Sequence, residues 1–143
     1  MSIKIYTDGA CSGNPGIGGW GAIIFFSDNN YVELNGGKKN TTNNQMELTA
    51  AIEALKYLKE KNEIIIFTDS KCLMNGIGSW ILNWKKNGWK TAAKKPVKNK
   101  DLWIELDTQI SKHSINWRWI KGHDGNQFNE LADFLARKYI EKN

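Results

Sequence analysis

A chain of 143 residues fits one domain built on one core, and its 41% apolar content excludes a disordered polymer. The two cysteines, Cys11 and Cys72, lack the spacing of a zinc site or a disulfide framework, so a reducing, cytoplasmic setting is expected. The net charge of +5 is concentrated: from Lys71 to Lys100 there are eight lysines and no acid, which points to a polyanionic partner.

Residues 3–11 begin with alternating Ile3, Ile5 and Thr7 and read as a strand, not as a leader peptide. The Gly/Pro-rich stretch 12–19 reads as a turn region. Strands are expected over 20–26 and 31–38, with 27–30 between them, so the first three strands form an antiparallel meander. The aliphatic-aromatic runs 22–26 and 64–67 are far too short to span a bilayer, and no membrane contact is expected.

The clearest helix covers 42–60. Thr42 followed by Gln45 matches a capping box, and Leu48, Ala51, Ile52, Leu55 and Leu58 recur at helical spacing. The apolar run 64–67 reads as a strand buried on both faces. Ser70 caps a short helix to Asn75; Gly76 and Gly78 break it, and Ser79 caps another over 80–86. An exposed lysine-rich loop over 88–98 follows. A helix is expected over 99–110, a strand over 115–120, and a last helix over 126–140 with Phe128, Leu131, Leu135 and Tyr139 on one stripe. Strands first, then alternating helix and strand, make an α/β domain with a mixed sheet.

The chemistry lies in the carboxylates. Tyr6-Thr7-Asp8-Gly9 late in the first strand is echoed by Phe67-Thr68-Asp69-Ser70 at the end of the buried strand. If the two strands are parallel neighbours, Asp8 and Asp69 lie side by side at the carboxyl end of the sheet, where open α/β folds bind ligands. Glu47 shares a helical face with Ala51, Ala54 and Leu58, which sets a charge at the edge of a buried stripe. Asp133 lies in the last helix between Ala132 and Phe134. Taken singly, each has an ordinary reading as a turn, cap or boundary residue. Together they cannot all stay ionised without a cation, and an all-oxygen donor set selects Mg²⁺ or Mn²⁺.

Five blocks in order carry a resemblance: Tyr6-Thr7-Asp8-Gly9, Thr42-Asn43-Asn44-Gln45-Met46-Glu47-Leu48, Phe67-Thr68-Asp69-Ser70, Lys121-Gly122-His123 and Asn129-Glu130-Leu131-Ala132-Asp133. Their order and spacing resemble bacterial ribonuclease HI over nearly the whole chain. The resemblance implies a five-stranded mixed sheet flanked by helices, and a metal-dependent endonuclease cutting the RNA strand of RNA–DNA hybrids to leave 5′-phosphate and 3′-hydroxyl ends. It implies that Asp8, Glu47, Asp69 and Asp133 hold two Mg²⁺ ions, with Mn²⁺ a possible substitute, and that His123 assists proton transfer or product departure. It implies minor-groove contacts from Cys11, Asn14, Asn43 and Asn44. Thr42 and Asn99 would grip a phosphate of the DNA strand. Trp80, Trp84, Lys85, Lys86, Lys90, Lys94 and Lys95 would belong to a basic protrusion, around 80–98 of a single domain 1–143, that rides on that strand. Mutual packing is an equal reading for Trp80 and Trp84, which stand at i and i+4. The chain is expected to act as a monomer.

This sequence departs from the family in places. Lys71 stands where relatives often carry a glutamine that touches RNA, and it could reach a phosphate instead; Gln45 stands where an arginine is common. Three rival functions remain at this point: a module that binds hybrids without cutting, a DNA-joining or junction-cutting enzyme of the same fold, and a two-carboxylate glycosidase. The formal Gly-x-Gly-x-x-Gly match at 16–21 is no dinucleotide fingerprint, because a strand pattern follows it instead of a helix.

Overall fold

The computed structural model describes residues 2–122 and 126–143. Three strands run first: β1 (Ile3–Ser12), β2 (Gly16–Ser27) and β3 (Asn30–Thr41). Helix α1 (Asn43–Tyr57) leads to β4 (Glu63–Thr68) and α2 (Lys71–Asn75). A π-helical turn (Gly76–Trp80) runs into α3 (Ile81–Lys86), and α4 (Lys100–Ile110), β5 (Ser114–Trp119) and α5 (Gln127–Lys142) complete the chain.

The five strands lie in the order β3-β2-β1-β4-β5. β3, β2 and β1 pair antiparallel, while β4 runs parallel to both β1 and β5. The expected mixed sheet and opening meander are both present. Alternation along the central strands divides the core. Ile3, Ile5, Ile24, Ile64 and Ile66 turn toward Leu48, Leu55, Trp103 and Leu106 of α1 and α4. Tyr6, Ile23 and Phe67 turn toward Phe128, Ala132 and Leu135 of α5. Both faces of the central strands are therefore covered, as parallel pairing requires. Fully burying one such isoleucine contributes about 1.5–3 kcal/mol.

Several boundaries differ from expectation for physical reasons. Residues 16–19 are strand, not turn: α5 packs so closely on β2 that a Cβ at Gly19 would lie 2.0 Å from the Ala136 carbonyl oxygen. These glycines serve close approach, and no helix opens at 16–21. Helix α1 ends at Tyr57, and Leu58 is its C-cap. The Thr42 hydroxyl accepts from the Gln45 N–H at 3.2 Å, but the Gln45 side chain turns away to Thr41 and Asn99, so the capping box is half made.

Gly76 does not break the helical segment. A Cβ there would stand 2.0 Å from the Trp103 ring, so the glycine lets the segment lie flat on that indole. Ser79 caps nothing; its hydroxyl donates to the Asn75 carbonyl at 3.2 Å. The loop after α3 is exposed and lysine-rich as expected, but it is tacked to the core by buried Val97.

Candidate metal centre

The register of β1 on β4 ends with Tyr6 opposite Phe67. Two residues further along each strand come Asp8 and Asp69, which the parallel pairing delivers to the same edge of the sheet. Helix α1 crosses β1 there. A Cβ at Gly9 would fall 2.5 Å from the Glu47 amide nitrogen, so only glycine lets the helix come this close. The Gly9 N–H donates to Oε1 of Glu47 and, at 2.9 Å, to Oδ1 of Asp8, holding both carboxylates.

The result is a cluster in which Asp8, Glu47 and Asp69 each offer an oxygen within 4.8 Å of the others. Asp8 and Glu47 are buried, at 6% and 5% exposure, and Asp69 is half-buried. Burial, reinforced by the charge of Glu47 and of Asp69 and Asp133, pushes the Asp8 carboxyl up to about 11. Burial also pushes Glu47 up to about 7, although hydrogen bonds from Asp8, Gly9 and Ser70 offset part of that rise. Among the described residues, no lysine or arginine forms an ion pair with any of the three. A buried, crowded, all-oxygen donor set that no lysine or arginine ion-pairs among the described residues fits a hard divalent cation.

Asp133 comes from α5 to the wall of the same open cavity, about 720 Å³ in volume. It stands outside the three-carboxylate group, and both its oxygens accept from Nε of Arg137, at 3.1 and 2.9 Å. His123 lies outside the described residues.

Cys11, Asn43, Asn44 and Lys71 line this cavity with the carboxylates. Cys11 is anchored, its thiol donating to the Thr41 carbonyl at 3.3 Å. Asn14 does not line the cavity; its side-chain oxygen accepts from the Asn43 N–H at 2.9 Å and ties the β1–β2 turn to the start of α1. Thr42 is the α1 cap, while Asn99 lines a second cavity of about 550 Å³ with Thr41, Gln45, Lys38 and Lys100. Thr41 lines this cavity and its neighbour Thr42 does not. There Oδ1 of Asn99 accepts from the Gln45 side chain at 3.1 Å.

Trp80 and Trp84 pack on each other and both reach Trp103, with ring centroids 5.8, 6.4 and 5.4 Å apart. Trp80 remains 38% exposed, so packing does not use the whole ring. Lys86, Lys90, Lys94 and Lys95 are exposed, but Lys85 pairs with Asp107 of α4 at 3.2 Å.

Sequence reasoning missed Arg137 and Trp119; Ser70 caps α2 as expected, its hydroxyl accepting from the Leu73 N–H at 3.1 Å. The i+4 spacing of Arg137 from Asp133 was a usable signal. Trp119 was findable only through strand register, which sets it opposite Thr68.

The chain matches the RNase H family model over residues 1–141. It is 63% identical over 139 residues to "Ribonuclease H" of Francisella philomiragia, covering 97% of this chain and 91% of that one. It is 62% identical over 138 residues to "Ribonuclease H" of Francisella tularensis subsp. novicida, covering 96% and 90%. Among solved structures, LC9-RNase H1, a type 1 RNase H with the type 2 active-site motif, superposes with a TM-score of 0.86 at 29% identity, over 98% of this chain and 72% of that one. LC11-RNase H1, solved in complex with an RNA/DNA hybrid, superposes with a TM-score of 0.72 at 25% identity, over 99% and 98%.

Proposed function

We propose, for a chain that belongs to the RNase H family, that Asp8, Glu47, Asp69 and Asp133 are the metal ligands with which it cuts the RNA strand of RNA–DNA hybrids. The enzyme is a metal-dependent endoribonuclease, and the family norm is a two-metal mechanism. The observation that supports the ligand assignment is the buried cluster of Asp8, Glu47 and Asp69, with oxygens within 4.8 Å of one another and no ion pair to a lysine or arginine among the described residues.

The protein's own part is to hold and orient. Gly9 and Ser70 fix Glu47, β1 and the end of β4 fix Asp8 and Asp69, and Arg137 turns Asp133 on α5. When bound, the cations supply a hydroxide at neutral pH and charge stabilisation for the leaving 3′-oxygen. Mg²⁺ is the proposed ion, two per site, with Mn²⁺ a substitute, because the donors are all hard oxygens. Products carry 5′-phosphate and 3′-hydroxyl ends.

Substrate contacts follow the same reading. Cys11, Asn43 and Asn44 at the cavity wall, with Asn14 bracing Asn43, face the minor groove of the hybrid. The second cavity, with Asn99 inside it and Thr42 beside it, takes a DNA-strand phosphate. Residues 80–98 form the basic protrusion of a single domain, carrying Trp80, Trp84, Lys86, Lys90, Lys94 and Lys95 to the DNA strand, with Lys85 placed beside them by Asp107. His123 is proposed to help proton transfer or product departure. The unpaired cysteines support a reducing, cytoplasmic setting, and a monomer suffices because all four carboxylates come from one chain. Among the described residues, no helix is long and apolar enough to cross a membrane.

Offering the protein hybrid, duplex DNA and four-way junctions side by side, with Mg²⁺ and with EDTA, tests this. Mg²⁺-dependent cutting confined to the RNA strand of the hybrid is expected; cutting of junctions or of duplex DNA at equal rate would sink the substrate assignment.

A further inference from the structure

Lys71 opens α2, two residues after Asp69, and lines the carboxylate cavity. Its side chain does not pair with those carboxylates: among the described residues, no acid lies within ion-pair distance of its ammonium. Instead Nζ stands 5.7 Å from the centroid of the Trp119 ring. Trp119 is itself fastened, its indole N–H donating to the Asp69 carbonyl at 3.2 Å, and its ring is left 45% exposed. The β4–β5 register sets Trp119 opposite Thr68, so the ring is a fixed platform at the edge of the centre.

We propose that Lys71, seated on Trp119, grips a backbone phosphate of the strand being cut, next to the scissile one. The inference rests on the nuclease reading above. An ammonium over an aromatic face keeps its charge and its three donors available while losing much of its freedom of position. A lone anion gains little at the mouth of a cavity lined by carboxylates. A polyphosphate chain does better, because one phosphate lies at the metal centre and its neighbour reaches the cation. Lys71 and Asp69 line one cavity, so the phosphate that meets Lys71 belongs to the strand that meets Asp69. Lys85 contrasts with this, being already engaged by Asp107.

The test uses Lys71→Met, Lys71→Arg, Trp119→Leu and hybrids carrying one neutral methylphosphonate at successive RNA-strand positions near the cleavage site. Thermal melts confirm that each variant folds. KM and kcat are measured with Mg²⁺, and hybrid affinity without divalent ions is followed across salt concentration. Lys71→Met is expected to raise KM several-fold with kcat nearly unchanged, and to flatten the log affinity against log salt slope by about 0.9, the share of one phosphate. Lys71→Arg retains the wild-type KM, and Trp119→Leu falls between wild type and Lys71→Met. At one RNA position the methylphosphonate weakens wild type but not Lys71→Met. A wild-type KM and salt slope in Lys71→Met, a wild-type KM in Trp119→Leu, or additive losses at every position would overturn the proposal. A wild-type protein that fails to cut hybrids would instead overturn the nuclease reading.

Discussion

Arg137 grips Asp133 one turn earlier on α5, its Nε donating to both carboxylate oxygens at 3.1 and 2.9 Å. Asp133 is thus the one proposed ligand with a basic partner among the described residues, and it stands apart from the cluster of Asp8, Glu47 and Asp69. Arg137 sets the direction from which Asp133 meets a cation. Removing it with Arg137→Ala is expected to lower stability by only about 0.3–0.5 kcal/mol, the worth of an exposed helical pair. The larger effect falls on metal use, with half-saturating Mg²⁺ rising about 10-fold, as for other residues that orient a metal ligand. A titration of activity against Mg²⁺, beside a urea melt, separates the two effects.

The metal-free protein carries a charge conflict that Asp8→Asn relieves. The folded Asp8 carboxyl is pushed up to about 11 from its ordinary 3.8, chiefly by burial and next by Glu47. A raised carboxyl contributes its stability below the unfolded value, near pH 4, and loses it as pH climbs toward the folded value. In EDTA at pH 8, Asp8→Asn should therefore melt above wild type, with the gap closing toward pH 4. Added Mg²⁺ at pH 8 should raise the wild-type melting temperature more than that of the variant.

His113 works in the opposite direction. It is buried, and its Nδ1 accepts the Asn62 N–H at 3.1 Å, tying the approach to β4 to the start of β5. Burial, helped by the charge of Lys112, lowers its pKa below the usual 6.5. Stability from neutral His113 is present above pH 6.5 and is lost as pH falls through the lowered value, because the protonated ring can no longer accept at Nδ1. His113→Phe should cost about 1–3 kcal/mol at pH 7 by orphaning the Asn62 N–H. Denaturant melts at pH 7 and pH 5 should show that deficit shrinking in acid.

The protrusion makes an electrostatic prediction. Replacing exposed Lys86, Lys90, Lys94 and Lys95 together by glutamine should weaken hybrid binding and flatten its salt slope by about 0.9 for each lysine that meets a phosphate. Lys85→Gln should change the slope less, because Asp107 already offsets its charge. Anisotropy titrations from low to moderate salt measure both, with single-turnover cleavage at saturating enzyme expected to hold.

Much of this was legible in the chain itself. The Thr-Asp echo anticipated that Asp8 and Asp69 come together, two residues beyond the last β1–β4 pair of parallel neighbours, although β1 itself runs on to Ser12. Glu47 was legible through the alanines it shares a face with, Ala51 and Ala54, both fully buried. The glycines misled. Gly19 and Gly76 were read as punctuation, yet they sit where a helix and an indole press on the backbone, a tertiary fact that local pattern does not carry. Ser79 failed as a cap for the same reason, since the segment before it never unwinds. Lys71 was marked as a departure from its relatives, but its seat on Trp119 depends on the β4–β5 register.

The most direct test is cleavage of a hybrid labelled on its RNA strand, by wild type and by Asp8→Asn, each with Mg²⁺ and with EDTA. The account predicts RNA-strand products with 5′-phosphate ends from wild type with Mg²⁺ alone, and none from the variant in either condition. Cutting by wild type in EDTA, or full activity in Asp8→Asn, would contradict it.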